Sequence, residues 1–292
     1  MKVLVTGASG RLGRRTLACL TEAGHEVIGT DCLPPCEDPP CRFVQADLLD
    51  EDAVRGLIEG VDAVVHLGNH ASPDKDIPKQ QIYLENTVMN SHVFLSAIEC
   101  GVGCVVFASS IQVICGDRRI TQLDQPSCLK TLPLSERTPP CPGNLYALSK
   151  LAGEQMLQYL AYRHPDRSLT AIRFPLLVRG TAEVEPGKRR IRRTGYWTHV
   201  DEGFAYLTFP DSASLIRATI ERRLPGYHVY LPSAGNHLGL TVSELIERYF
   251  PEIPLERPIE SPTNLIDIST IRSDLDWEPK DVDIFEPEAE EV

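Results

Sequence analysis

The chain reads as an α/β protein built on a doubly wound parallel sheet. Three observations predict this. Short apolar runs at 2–6, 26–30, 42–46, 62–67, 103–108 and 168–173 alternate with helical stretches, the rhythm of a parallel sheet covered on both faces. The first run, Lys2 to Thr6, passes directly into Gly7, Gly10 and Gly13 and then a helical stretch from Arg11 to Ala23. The second run ends at a carboxylate, Asp31, 18 residues after Gly13. In open sheets of this kind ligands bind at the carboxyl ends of the strands, which places Gly7, Asp31, Gly68, Ser109 and Ser110 on one rim.

The opening strand and its glycines carry the most chemistry. A strand that turns sharply into a helix leaves backbone N–H groups and the positive end of the helix dipole facing open space, a pocket for a pyrophosphate. Gly7 permits the turn, Gly10 lets phosphates approach the backbone, and Gly13 lets helix lie close on strand. The spacing is G-x-x-G-x-x-G. Asp31 is placed to accept hydrogen bonds from a ribose 2′-hydroxyl and to repel a 2′-phosphate. No Arg or Lys stands in the stretch Asp31 to Cys36, so the expected cofactor is NAD and not NADP. Asp47-Leu48, after the third run, is a candidate for holding the adenine; a helix N-cap at Asp47 is the alternative.

Further along, helices are expected at about 80–100 and 145–163. Beyond 174 the rhythm is lost: 176–206 reads as loop and contains the basic run Lys188 to Arg193. A strand near 205–209, a helix near 211–223 and a strand at 227–231 follow. Thr241-Val-Ser-Glu244 fits a capping box opening a later helix. The last ten residues read as a frayed acidic tail. The resulting division is 1–175 plus about 205–232 as the nucleotide-binding domain, 176–204 plus 233–280 as a smaller substrate-binding part, and 281–292 as the tail.

Composition bounds the partners. A formal net charge of −12 argues against nucleic acid and anionic membrane surfaces, and no apolar run approaches the ~20 residues of a membrane span. The N-terminus reads as the first strand and not as a signal peptide. Nine cysteines include a cluster at Cys32, Cys36 and Cys41, but the gaps do not suit a zinc site. Reduced thiols in a cytoplasm, and no metal, are expected.

Tyr146-Ala-Leu-Ser-Lys150 places a phenol and an ammonium on one helix face. A nearby cation favours phenolate, so Tyr146 could exchange a proton with a substrate hydroxyl near neutral pH. Ser110, at a strand end on the same rim, could hold the reacting oxygen. A surface pair and a turn serine are the bland alternatives for these residues taken singly.

Together these residues resemble the extended short-chain dehydrogenase/reductase superfamily, the NAD-dependent epimerase/dehydratase group. The likeness rests on Thr6 to Gly13, Val27 to Asp31, Val65 to Gly68, Asn86, Phe107-Ala-Ser-Ser110 with Tyr146 and Lys150, Arg173-Phe-Pro, and Asp267 to Trp277. It implies a Rossmann-like sheet and a catalytic set of Ser110, Tyr146, Lys150 and Asn86. It implies an NAD site lined by Gly7, Ser9, Gly10, Arg11, Leu12, Gly13, Asp31, Asp47, Leu48, Leu67, Gly68, Ala108, Ser109, Tyr146, Lys150 and Phe174. His70, Ser72, Ser110, Ile111 and Arg192 are the implied substrate contacts.

Two departures bear on the substrate. The asparagine that nucleotide-sugar epimerases carry just after the arginine strand is absent from Arg173-Phe-Pro-Leu-Leu-Val178, and the usual V-Y-G after the serine reads Val113-Ile-Cys-Gly116. Uronate dehydrogenases of the superfamily are similarly short and share His66-Leu-Gly, Phe107-Ala-Ser-Ser and Ser214-Leu-Ile, but the arginine they use for a carboxylate has no match in register. The basic run at 188–193 could greet a carboxylate or phosphate, or be a solvated loop. The expectation is an NAD-dependent oxidoreductase acting on a sugar or sugar acid. A nucleotide-sugar epimerase or dehydratase with tightly held NAD, and a catalytically silent NAD-binding protein, are the alternatives. Family analogy adds a homodimer through the two long helices.

Overall fold

The structure is a computed structural model, and it describes residues 1–35, 38–71, 77–180, 199–282 and 284–285. The chain divides into two compact units: Met1–Ser109, Leu145–Ile172 and Ser212–Val229 form the first, and Ser110–Asn144, Arg173–Asp211 and Tyr230–Val292 the second.

The first unit is organised by a seven-stranded sheet. Its strands are β1 (Lys2–Thr6), β2 (Glu26–Asp31), β3 (Arg42–Gln45), β4 (Ala63–His66), β5 (Cys104–Ser110), β6 (Ser168–Phe174) and β9 (Gly226–Tyr230), in the order β3-β2-β1-β4-β5-β6-β9. The last residues of β5, β6 and β9 belong to the second unit. β1 pairs in parallel with β2 and with β4, so Thr6 lies between Thr30 and His66. The strand order therefore reverses on the two sides of β1, and the crevice at its carboxyl end is the switch point where doubly wound sheets take ligands.

Helices α1 (Arg11–Glu22), α2 (Glu51–Ile58), α3 (Lys79–Glu99) and α4 (Leu145–Arg163) cover the sheet. Leu4, Ile28, Val64, Val105 and Leu169 from the strands meet Val54, Ile58, Val93, Phe94 and Leu157 from the helices in one apolar cluster. The β-branched runs form strands because both faces are buried. α2 opens at Asp50, whose carboxylate accepts from Ala53 N at 3.1 Å. The alternative reading of Asp47 as that cap is thus displaced by three residues; Asp47 Oδ1 accepts instead from Leu49 N at 2.9 Å. Gly153 is where α4 runs close to its neighbours: a Cβ there would meet the Phe107 ring at 2.8 Å and Asn90 Nδ2 at 2.9 Å.

The second unit holds a three-stranded mixed sheet, β10-β8-β7, of β7 (Leu176–Val178), β8 (Ala205–Thr208) and β10 (Gly235–Asn236). β8, expected to return to the nucleotide-binding domain, pairs here instead, and residues 110–144 also cluster with this unit. α5 (Phe209–Arg222) follows β8 directly. α6 (Val242–Tyr249) carries the expected capping box between Thr241 and Glu244, and α7 (Ser269–Leu275) precedes the buried Trp277. The expected tail begins later than 281. Asp281 N donates to Asp211 Oδ2 at 3.0 Å, and Ile284 and Phe285 are buried, with Phe285 edge-on to Tyr206. The acidic residues beyond 285 lie outside the described residues.

Candidate active site

The glycine turn has the geometry its residue types demand. Gly7 adopts φ +67°, the left-handed region that side chains avoid, and a Cβ there would sit 2.7 Å from Gly68 N. A Cβ on Gly13 would lie 2.1 Å from Gly7 O, so only glycine lets α1 start this close to β1. Gly10 is the exposed N-cap of α1, and no side chain caps the helix. Its first turn is left to an outside acceptor.

Asp31 closes one side of the turn. Its Oδ2 accepts from Ser9 N at 3.0 Å and its Oδ1 from Leu33 N at 3.1 Å, which fixes the carboxylate at the end of β2. Ser9 Oγ donates to Leu33 O and Pro34 O. On the other side Leu48 is buried, and its Cδ1 lies where a Cβ on Gly68 would come within 2.7 Å. Thr6 Oγ1 accepts from Leu67 N and Gly68 N, so the end of β4 is tied to the end of β1.

Lys150 is buried. Its Nζ donates to Asn69 Oδ1 at 2.7 Å and Ala108 O at 2.8 Å, and stands 5.6 Å from the Tyr146 ring centroid and 4.9 Å from that of Phe107. Burial pulls its pKa from the ordinary lysine range down to about 7. The surface-pair alternative for this motif is therefore wrong for the lysine. Asn69 is the residue the sequence reading missed. Its signal was position alone, directly after the Val65 to Gly68 strand end.

Asn86 is fully buried on α3. It accepts from His70 N at 2.8 Å and donates to His70 O at 3.2 Å and Ser149 Oγ at 3.1 Å; Ser149 Oγ in turn donates to Tyr146 O at 2.7 Å. Asn86 thus clamps the chain after β4 and braces the first turn of α4. The His70 ring pairs with Glu85 at 2.5 Å, and hydrogen bonds from Gln81 and His70 hold the Glu85 carboxyl below its usual range. Beneath the site His66 is buried between Thr6 Oγ1 and Asn90 Oδ1, and burial, with the Lys150 charge, lowers its pKa to about 3. It is a neutral part of the core. Ser109 donates to the buried Glu154 at 2.5 Å.

Ser110 ends β5 and is the first residue of the second unit; its Oγ accepts from Gln112 N at 3.2 Å. The Ile111 side chain, expected at the substrate, is buried in a single 3-10 turn at Ile111–Val113, and Phe174 is buried at the end of β6. Leu12 is half-buried and Arg11 exposed at the start of α1. Ser72, Arg192 and the basic run at 188–193 lie outside the described residues.

The model of the NAD dependent epimerase/dehydratase family matches residues 3–182. The chain belongs to that family. It is similar to the NAD-dependent glucose-6-phosphate dehydrogenase of Haloferax volcanii, 29% identical over 228 residues that cover 75% of this chain and 80% of that one. It is 25% identical to the UDP-glucose 4-epimerase of Streptomyces lividans over 318 aligned residues, 97% of this chain and 93% of that one. In fold it is similar to the crystal structure of uronate dehydrogenase from Agrobacterium tumefaciens, with a TM-score of 0.66, 23% identity, and 97% of this chain and 85% of that chain covered.

Members of this epimerase/dehydratase family are NAD-dependent enzymes, and the residues present fit that cofactor. The Gly7–Gly13 turn and the uncapped start of α1 suit the pyrophosphate, and the fixed Asp31 carboxylate suits a ribose bearing free hydroxyls. No helix among the described residues is long and apolar enough to cross a membrane, and no group of three or more His, Cys, Asp or Glu among them could hold a metal ion.

Proposed function

We propose that this member of the NAD dependent epimerase/dehydratase family is a sugar oxidoreductase that oxidises a hydroxyl-bearing carbon of a sugar or sugar acid. The observation that carries the reading is the Lys150 ammonium, pinned between Asn69 Oδ1 and Ala108 O under the Tyr146 ring. A positive charge held there favours the phenolate of Tyr146. Tyr146 takes the proton of the substrate hydroxyl as general base. The Ser110 Oγ already accepts a backbone N–H, which leaves its own O–H to donate to the reacting oxygen. Asn86 is a positioning residue: it holds the His70 backbone and, through Ser149, the first turn of α4. The chemistry that bound NAD supplies is acceptance of the hydride from the carbon being oxidised.

The same residues serve an epimerase, which returns the hydride to the other face, and the likeness to a UDP-glucose 4-epimerase over 97% of the chain supports that second reading. The distinguishing experiment offers the purified protein NAD with free sugars, sugar acids and nucleotide sugars, following NADH absorbance and the sugar products. Net NADH marks a dehydrogenase. An epimeric sugar without net NADH marks an epimerase. A working assay unaffected by Tyr146→Phe eliminates the mechanism.

The protein works as a homodimer in this proposal. Leu84, Val88 and Leu95 on α3, and Leu148, Tyr159 and Tyr162 on α4, are exposed at spacings that put each set on one helix face. Tyr159 and Tyr162 are 61% and 84% exposed, an apolar surface suited to the same helices of a second copy.

A further inference from the structure

Glu202 lies just before β8, in the second unit. Its Oε1 is shut off from solvent and has no hydrogen-bond partner. Burial raises its pKa to about 7; the Gln112 side chain opposes the rise by hydrogen bonding, Asp117 reinforces it and Arg119 opposes it. A buried acceptor without a donor costs about 1–3 kcal/mol, and folded proteins fill such gaps with a water, an ion or a ligand group.

The surroundings narrow the choice. Gln112 donates its backbone N–H to Ser110 Oγ, and its side-chain Oε1 accepts from Asn144 Nδ2 at 3.2 Å. The NH2 end of that amide is therefore the end left for Glu202. Ser110, Gln112, Asn144 and Glu202 form one polar run inside the second unit, made of hydroxyl, amide and carboxylate groups. The guanidinium groups beside this run are already engaged, Arg119 with Asp117 and Arg118 with Asp201 at 2.7 Å, and burial lowers the His199 pKa, which favours its neutral ring. Such a set suits the hydroxyls of a neutral sugar, which donate to the carboxylate and accept from the amides. A carboxylate or phosphate would meet the Glu202 and Asp117 carboxylates, with the nearby guanidinium groups of Arg118 and Arg119 already paired.

We infer that Glu202 and Gln112 form a hydroxyl-recognising subsite beside Ser110, in which Glu202 Oε1 accepts a hydrogen bond from the substrate, so that the sugar brings a neutral hydroxyl-bearing end, and not an anionic one, to this place. The inference rests on the sugar-oxidoreductase reading and narrows its substrate class.

The test measures binding of glucose and galactose, and of glucuronate and galacturonate, to the NAD-loaded protein by calorimetry, alongside initial rates. The expected result is tighter binding of the hexoses than of the uronates, with Glu202→Gln weakening hexose binding roughly tenfold. Glu202→Asp, which keeps the charge, recovers part of the loss. Preferential binding of uronates by the native chain, absence of hexose binding, or unchanged hexose binding in a folded Glu202→Gln protein would each overturn it. Hexose affinity in the native chain needs no variant, so misfolding of Glu202→Gln leaves the test intact. Turnover of uronates that depends on Tyr146 sinks the subsite and spares the oxidoreductase reading. Glu202-dependent hexose binding without any turnover does the reverse.

Discussion

Lys150 Nζ donates to Asn69 Oδ1 at 2.7 Å, joining the second turn of α4 to the chain just beyond β4. The ammonium of a Y-x-x-x-K pair is thereby held by an acceptor 81 residues away in sequence. Its second acceptor, Ala108 O, comes from β5.

Removing Asn69 tests this link. Asn69→Ala leaves the buried ammonium with one side-chain acceptor fewer, so its charged form is disfavoured further. Turnover near neutral pH is expected to fall roughly tenfold, with the alkaline fall in kcat moving to lower pH; a pH–rate profile beside the native protein checks it.

The depressed Lys150 pKa also predicts a stability profile. The unfolded lysine holds its proton up to the ordinary lysine range, near ~10.4, whereas the folded one releases it at about 7. Between those values the unfolded state binds more protons, so stability rises as pH increases through that window. Thermal midpoints of the apoprotein from pH 7 to 10 should show a rise that Lys150→Met lacks, after allowance for the other groups through the difference between the two proteins.

Gly13→Ala should damage the nucleotide turn. The added Cβ would be placed 2.1 Å from Gly7 O, and α1 must move off β1 to admit it. NAD affinity is expected to fall at least roughly tenfold, with about 1–3 kcal/mol of stability lost to overpacking; calorimetric titration and denaturant melts measure the two separately.

The proposed dimer is tested on its exposed face. Val88→Glu combined with Tyr159→Glu places charges on the exposed faces of α3 and α4, at side chains that are 40% and 61% exposed within one chain. The expected outcome is a monomer by light scattering, with the far-ultraviolet spectrum kept. A native chain that is monomeric at high concentration would remove the proposal.

Much of this site was legible in the residues because its chemistry is local. Gly7 and Gly13 announce themselves because a Cβ on Gly7, at φ +67°, would sit 2.7 Å from Gly68 N, and one on Gly13 would sit 2.1 Å from Gly7 O. Asp31 ends a strand whose apolar run is plain, and Tyr146 and Lys150 are one helical turn apart. Other features were hidden because they are made by long-range pairing. Whether β8 returned to the main sheet or paired with β7 depended on partners far along the chain, and both orders satisfy the same apolar pattern. Ile284 and Phe285 sit among acidic residues and read as tail, yet Tyr206 gives them a buried surface to join.

By itself the order of residues determined the parallel sheet, a glycine turn suited to a pyrophosphate, a strand-end carboxylate suited to a free ribose and the helical pairing of a phenol with an amine, because each follows from backbone sterics or from periodicity within a few residues. Tertiary structure alone decided that the amine is buried and held by Asn69, that Asn86 braces the chain after β4, and that Glu202 keeps an unpartnered oxygen near Gln112. Burial, and the shifts in proton affinity that follow from it, are properties of what surrounds a group in space, and no short stretch of sequence contains its own surroundings.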